Sequence, residues 1–130
     1  MTKHPIVGIP EIDSAHREIF FLLVQLSKLD GNLDKIYRIF EDYTNDHFKM
    51  EETFLTENKY PLLDLEEHKK DHIRLRSLFL SSDSISKEFL EDLGLQISSH
   101  INFYDSAMAN WLYKKREDLV NKMLGLQQES

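Results

Sequence analysis

The chain has 130 residues, 41% hydrophobic and 30% charged, with a net charge of −7 and no cysteine. That length suits one domain with its own buried core, and the lack of thiols excludes both a disulfide framework and a thiolate metal site. The acidic balance argues against a nucleic-acid partner, and no apolar run approaches the ~18–20 residues of a membrane span. Pro5, Gly8 and Pro10 stand where a signal peptide needs an apolar helix, so a cytoplasmic protein is the simplest expectation.

Glycines, prolines and capping residues divide the chain into four helical lengths. Asp13 is placed to cap a first helix over about 14–29, stopped by Asp30-Gly31. Asn32 is placed to cap a second over 33–57, ending before Asn58-Lys59-Tyr60-Pro61. Asp64 opens a third over 65–80, with Glu67 completing a capping box. The serine-rich stretch 81–87 separates it from a fourth over 86–112, with a helical extension to about 124. No segment alternates as a strand does. The basic cluster Lys114-Lys115-Arg116 is followed at once by Glu117 and Asp118, so it reads as a solvated face.

Residues spaced three and four apart form one inward stripe per helix. The first carries His16, Ile19, Leu23 and Leu26. The second carries Leu33, Ile36, Phe40, Tyr43, His47, Met50 and Phe54. The third carries Leu65, His68, His72, Leu75 and Phe79. The fourth carries Phe89, Leu93, Gln96, His100, Phe103 and Ala107. Four such stripes on consecutive helices with short connections predict an all-α, up-down-up-down antiparallel four-helix bundle.

Every stripe carries histidine, and five of the six histidines fall on them. A single inward histidine is ordinarily a hydrogen-bonded core residue. Five, drawn from all four helices, leave many imidazole nitrogens to satisfy away from water, and a shared metal satisfies them together. Glu51, four residues after His47, shares its side of the helix. Asp105, five after His100, falls about 140° round an ideal α-helix, one turn further along. Five imidazoles, two bridging carboxylates and one bridging oxygen fill all but one position of two six-coordinate metals, which marks a reactive site. Nitrogen and oxygen donors without sulfur favour iron or manganese over zinc.

At these residues the sequence resembles the bacterial branch of the hemerythrin family, over nearly its whole length. The resemblance is carried by Gly8-Ile9-Pro10-Glu11-Ile12-Asp13 with His16, by His47-Phe48-Lys49-Met50-Glu51-Glu52, and by Tyr60-Pro61 followed by Glu67-His68-Lys69. It implies a centre of two oxo- or hydroxo-bridged irons that binds dioxygen reversibly. One iron would take His68, His72 and His100, the other His16 and His47, with Glu51 and Asp105 bridging. Dioxygen would bind at the two-histidine iron, and Gln96, Ile97 and Ile101 would line its pocket. Two positions depart from the family's habit: Gln96 stands where a tryptophan is common, and Met108 where a tyrosine is common. On the inward stripe the Gln96 amide is either satisfied by a core partner, or admits water or donates to bound dioxygen.

Other helical metalloproteins fit less well. Ferritin-like sites need paired Glu-x-x-His motifs, zinc proteases His-Glu-x-x-His, and His-Asp phosphohydrolases that dipeptide, and this chain has none of them. The expectation is an oxygen-binding protein and not an enzyme, monomeric or weakly self-associating, with dioxygen as its partner. Oxygen or redox sensing, or peroxide handling, at the same centre is the alternative. A sensor in this length would need a separate protein partner to read its state.

Overall fold

The computed structural model describes residues 6–28, 33–80 and 85–125. The helix stop at Asp30-Gly31 and the cap at Asn32 lie outside these residues. Helices α1 (Pro10–Lys28), α2 (Leu33–Glu57), α3 (Leu62–Phe79) and α4 (Lys87–His100) are followed by a π-helical turn (Ile101–Asp105) and by α5 (Ser106–Met123). The last three run on without a break in helical backbone as the fourth rod of a bundle. Each rod packs on the next in sequence, and α1 closes the ring against α4, as short connections between antiparallel helices require. Among the described residues there is no strand, and no helix is long and apolar enough to cross a membrane.

The helix starts differ from the expected caps, for local reasons. Helix α1 begins at Pro10, whose fixed φ suits the first helical position. Asp13 therefore sits inside the first turns, and its carboxylate accepts the backbone N–H groups of Val7 and Gly8 at 2.9 and 3.0 Å. Gly8 has φ +94, a conformation that an L side chain resists, and its carbonyl accepts the Tyr113 hydroxyl. This strap ties the start of α1 to α5. Helix α3 starts at Leu62, directly after Pro61, with no side-chain cap. Asp64 instead lies in the first turn, where its charge suits the positive end of the helix dipole, and Glu67 pairs with Lys70 in solvent. The Ser86 hydroxyl does cap α4, accepting the Phe89 N–H at 3.1 Å.

The inward stripes of α1 and α3 are those read from the sequence. On α2 the buried line runs through Tyr37, Phe40, Thr44, His47, Phe48, Glu51 and Leu55, while Tyr43 and Met50 are 37% and 45% exposed. Those two apolar residues flank the line, and the polar Thr44 and Glu51 occupy it. On the fourth rod the π turn changes the phase. Its hydrogen bonds run from i to i+5, as from the Ser106 N–H to the Ile101 carbonyl, so one extra residue is taken up and everything after it rotates. Phe103 is consequently 71% exposed and Ala107 faces out, while Asp105, Met108 and Ala109 face in.

The core divides into two apolar clusters. The larger holds Ile19, Leu23, Phe40, Phe48, Leu75 and Ile97 among others; the smaller holds Ile12, Leu55, Tyr60, Leu65 and Met108. On each rod the inward histidines fall in sequence between members of the two clusters. The bundle thus carries a polar layer between two apolar ones.

Candidate metal centre

The polar layer contains His16 from α1, His47 and Glu51 from α2, His68 and His72 from α3, and His100 and Asp105 from the fourth rod. His47 is 5% exposed and the other six at most 2%. Their ligating atoms gather into two groups, one of Glu51, His68, His72, His100 and Asp105, the other of His16, His47, Glu51 and Asp105. The π turn brings the last carboxylate in. By removing most of the 140° offset of an ideal helix, it sets Asp105 Oδ1 3.1 Å from His100 Nε2.

The two carboxylates belong to both groups, one oxygen in each. Glu51 Oε1 lies 2.8 Å from His68 Nε2 and 3.2 Å from His72 Nε2, while Oε2 lies 3.2 Å from His47 Nε2. Asp105 Oδ1 lies 3.0 Å from His68 Nε2, while Oδ2 lies 3.0 Å from His16 Nε2. Neighbouring donors around a six-coordinate ion with ~2.1 Å bonds are ~3.0 Å apart, and around a tetrahedral ion ~3.4 Å. The observed edges of 2.8–3.2 Å are of this order, close enough for each group to share one ion.

Hydrogen bonding alone leaves this layer unsatisfied. Glu51 Oε2, both Asp105 oxygens and His47 Nε2 are buried without a hydrogen-bond partner among the described residues, although ring nitrogens or oxygens stand ~3 Å away. They fall instead within the two groups of candidate ligating atoms. His72 Nδ1 donates to Glu52 Oε2 and His100 Nδ1 to Asp71 Oδ2, each at 2.7 Å. A carboxylate only accepts, so in the neutral rings both Nε2 atoms carry inward lone pairs, and these stand 3.1 Å apart. Such an arrangement needs a proton or a metal ion between its members.

The electrostatics favour cations equally. Burial by itself pushes the imidazoles toward neutrality, but Asp105 and Glu51 outweigh it, raising His68 to about 9, His100 to about 11, and His47 upward. Burial likewise pushes the two carboxyls up. The surrounding imidazoles reverse this, holding Glu51 and Asp105 below the usual carboxylate range. Metal binding at such a site exchanges protons for metal charge. The residues therefore fit a pair of metal ions held by five imidazoles and two bridging carboxylates.

Of the residues expected in a pocket beside the centre, Ile97 and Ile101 are buried in the larger apolar cluster. Gln96 is not inward. It is half-buried, and its Oε1 accepts Arg74 Nη1 at 2.7 Å on the exposed side of α3 and α4. The stripe through His100 runs over Leu93 and Ile97, one position round from Gln96. Met108 is fully buried in the smaller cluster. Three participants escaped the sequence reading: Asp71 and Glu52, behind His100 and His72, and Phe48, whose ring stacks on His72 at 4.1 Å and 11°. Asp71 lies three residues after His68, and that spacing is the one signal that marked it.

A family model described as the hemerythrin HHE cation-binding domain matches residues 7–112. Neither the curated proteins nor the solved structures searched give a match. The matched stretch spans all four rods and every donor in the polar layer, and on that ground the chain belongs to the hemerythrin family.

Proposed function

We propose that this protein binds dioxygen reversibly at a non-haem di-iron centre held by His16, His47, Glu51, His68, His72, His100 and Asp105. The supporting observation is the sharing of Glu51 and Asp105 between two unequal groups, one with three imidazoles and one with two. The group of His16 and His47 offers one imidazole fewer than the other, so an outside ligand would bind on that side. Two iron(II) ions, when bound there, supply one electron each to dioxygen and recover them on its release.

The chain's own residues account for the rest. Glu51 and Asp105 hold the two positions together and cancel most of the buried charge. Ile97, Ile101, Ile19 and Leu23 keep the surroundings apolar on one side, and Leu55 and Met108 on the other, which limits water near the site. The near-complete burial of all seven donors suits a ligand as small as dioxygen better than an organic substrate. A cytoplasmic binding protein without catalytic turnover is the role we assign, monomeric or weakly self-associating.

The experiment is metal analysis followed by visible spectra of the reduced protein before and after admission of air, then after deoxygenation. About two irons per chain and a colour that appears with oxygen and fades without it are expected. Immediate, irreversible oxidation with no oxygenated form would replace the proposal with redox sensing or peroxide handling.

A further inference from the structure

The outer edge of the centre is lopsided. His100 Nδ1 donates to Asp71 Oδ2 at 2.7 Å. Asp71 is itself gripped by Arg74, through Nε at 2.6 Å to Oδ1 and Nη2 at 3.2 Å to Oδ2. The third guanidinium nitrogen donates to Gln96, so a chain of hydrogen bonds runs from the surface of α4 through α3 to the inner donor on His100. His72 has the parallel arrangement: Glu52 accepts from its Nδ1, Arg76 stands 3.8 Å from Glu52, and Arg76 also covers Phe48, which stacks on His72. In contrast, Nδ1 of His16 and Nδ1 of His47 are buried with no hydrogen-bond partner among the described residues.

A carboxylate on the outer ring nitrogen does two things to a histidine ligand. It fixes the tautomer, so the inner nitrogen always presents its lone pair, and it makes that lone pair more basic. Loss of such a partner typically costs 10–100-fold in metal affinity. Two of the three imidazoles on one side have this support and neither of the two on the other side does. We propose that Asp71, oriented by Arg74 and Gln96 and seconded by Glu52, is a positioning residue that makes the three-histidine position fill first and empty last. The centre then loads and unloads in order. This rests on the two-metal reading above and extends it to the sequence of metal uptake.

The extra imidazole by itself also favours that side, so the test must change Asp71 and leave every donor in place. Metal-free protein, prepared by chelation, is titrated anaerobically with cobalt(II), and binding is followed by calorimetry and by the paramagnetically shifted ring N–H protons. Wild type should bind two cobalt ions in two resolved steps, with three shifted ring N–H signals at the first equivalent. In Asp71→Asn the first step should weaken 10–100-fold and the second stay within threefold, drawing the two together. Arg74→Gln leaves Asp71 in place at an exposed site and should weaken the first step alone by about two- to fivefold; it carries the test if Asp71→Asn does not fold. Two cobalt ions bound with an unchanged first step in the folded variant would overturn the proposal and leave the two-metal reading standing. Equal weakening of both steps would overturn it too, showing a general packing role. No cobalt bound by wild type would overturn both.

Discussion

His72 and His100 meet carboxylates on both sides of the ring, Glu51 or Asp105 within and Glu52 or Asp71 without. His16 and His47 meet protein polar groups only on the inner side among the described residues. In the three-histidine half two of the three rings are thus held from behind, while Nδ1 of His68 has no such partner among the described residues. The second half rests on apolar packing, and it is the half on which we place the outside ligand. The contrast teaches that equal ligand types need not give equal positions, because what stands behind an imidazole sets how firmly it can hold a metal.

The largest effect is expected where the two halves join. Glu51 serves both groups, and Glu51→Ala should lower metal content in both, from about two ions per chain toward none, by elemental analysis. It should also destabilise the metal-free bundle by about 3–5 kcal/mol, since the buried imidazoles lose their compensating charge. Full metal occupancy in this variant would mean the halves are not joined through Glu51. Chiefly on the three-histidine side, Phe48→Ala removes the ring stacked on His72 and leaves a core cavity. A loss of about 3–5 kcal/mol in denaturant unfolding is expected, with metal lost from that side first.

Acidity separates the metal-free from the metal-loaded protein. His68 is raised from an ordinary 6.5 to about 9 and His100 to about 11. A raised histidine stabilises the fold fully below its unfolded value and loses that contribution as pH climbs through the folded one. Metal-free stability should therefore fall from about pH 6.5 upward, with His68 accounting for on the order of 3 kcal/mol by pH 9. The lowered carboxyls act oppositely, stabilising above about pH 4 and losing that support in acid. The metal-loaded protein should instead hold its metals better as pH rises toward 9 and beyond, since protons compete for the same raised donors. Urea midpoints against pH for the two forms check this, and parallel curves would contradict it.

The smallest effect is expected at Gln96. Because its amide meets Arg74 and not the inner layer, Gln96→Leu should shift stability by less than about 1 kcal/mol and leave metal content and the lifetime of an oxygenated form nearly unchanged. A several-fold change in that lifetime would show that the outer hydrogen-bond chain reaches the ligand.

Sequence by itself determined the four rods, the inward faces of α1 and α3, and the seven side chains that meet in the polar layer. These follow from local rules: helical periodicity, the clustering of five imidazoles on core stripes, and the rarity of buried titratable groups without a shared partner. It could not show that Pro10 and Pro61 would set helix starts ahead of the acids expected to cap them, because Asp13 found backbone partners in the preceding strap. Nor could it show the π turn. An inserted residue is invisible to a periodicity count until packing selects which side chain turns inward, and here burial of Asp105 and Met108 at the expense of Phe103 made the selection. The outer carboxylates were likewise a tertiary matter. Asp71 and Glu52 are two acids among 23, and only the approach of α4 to α3, and of α3 to α2, set them behind a histidine from another helix.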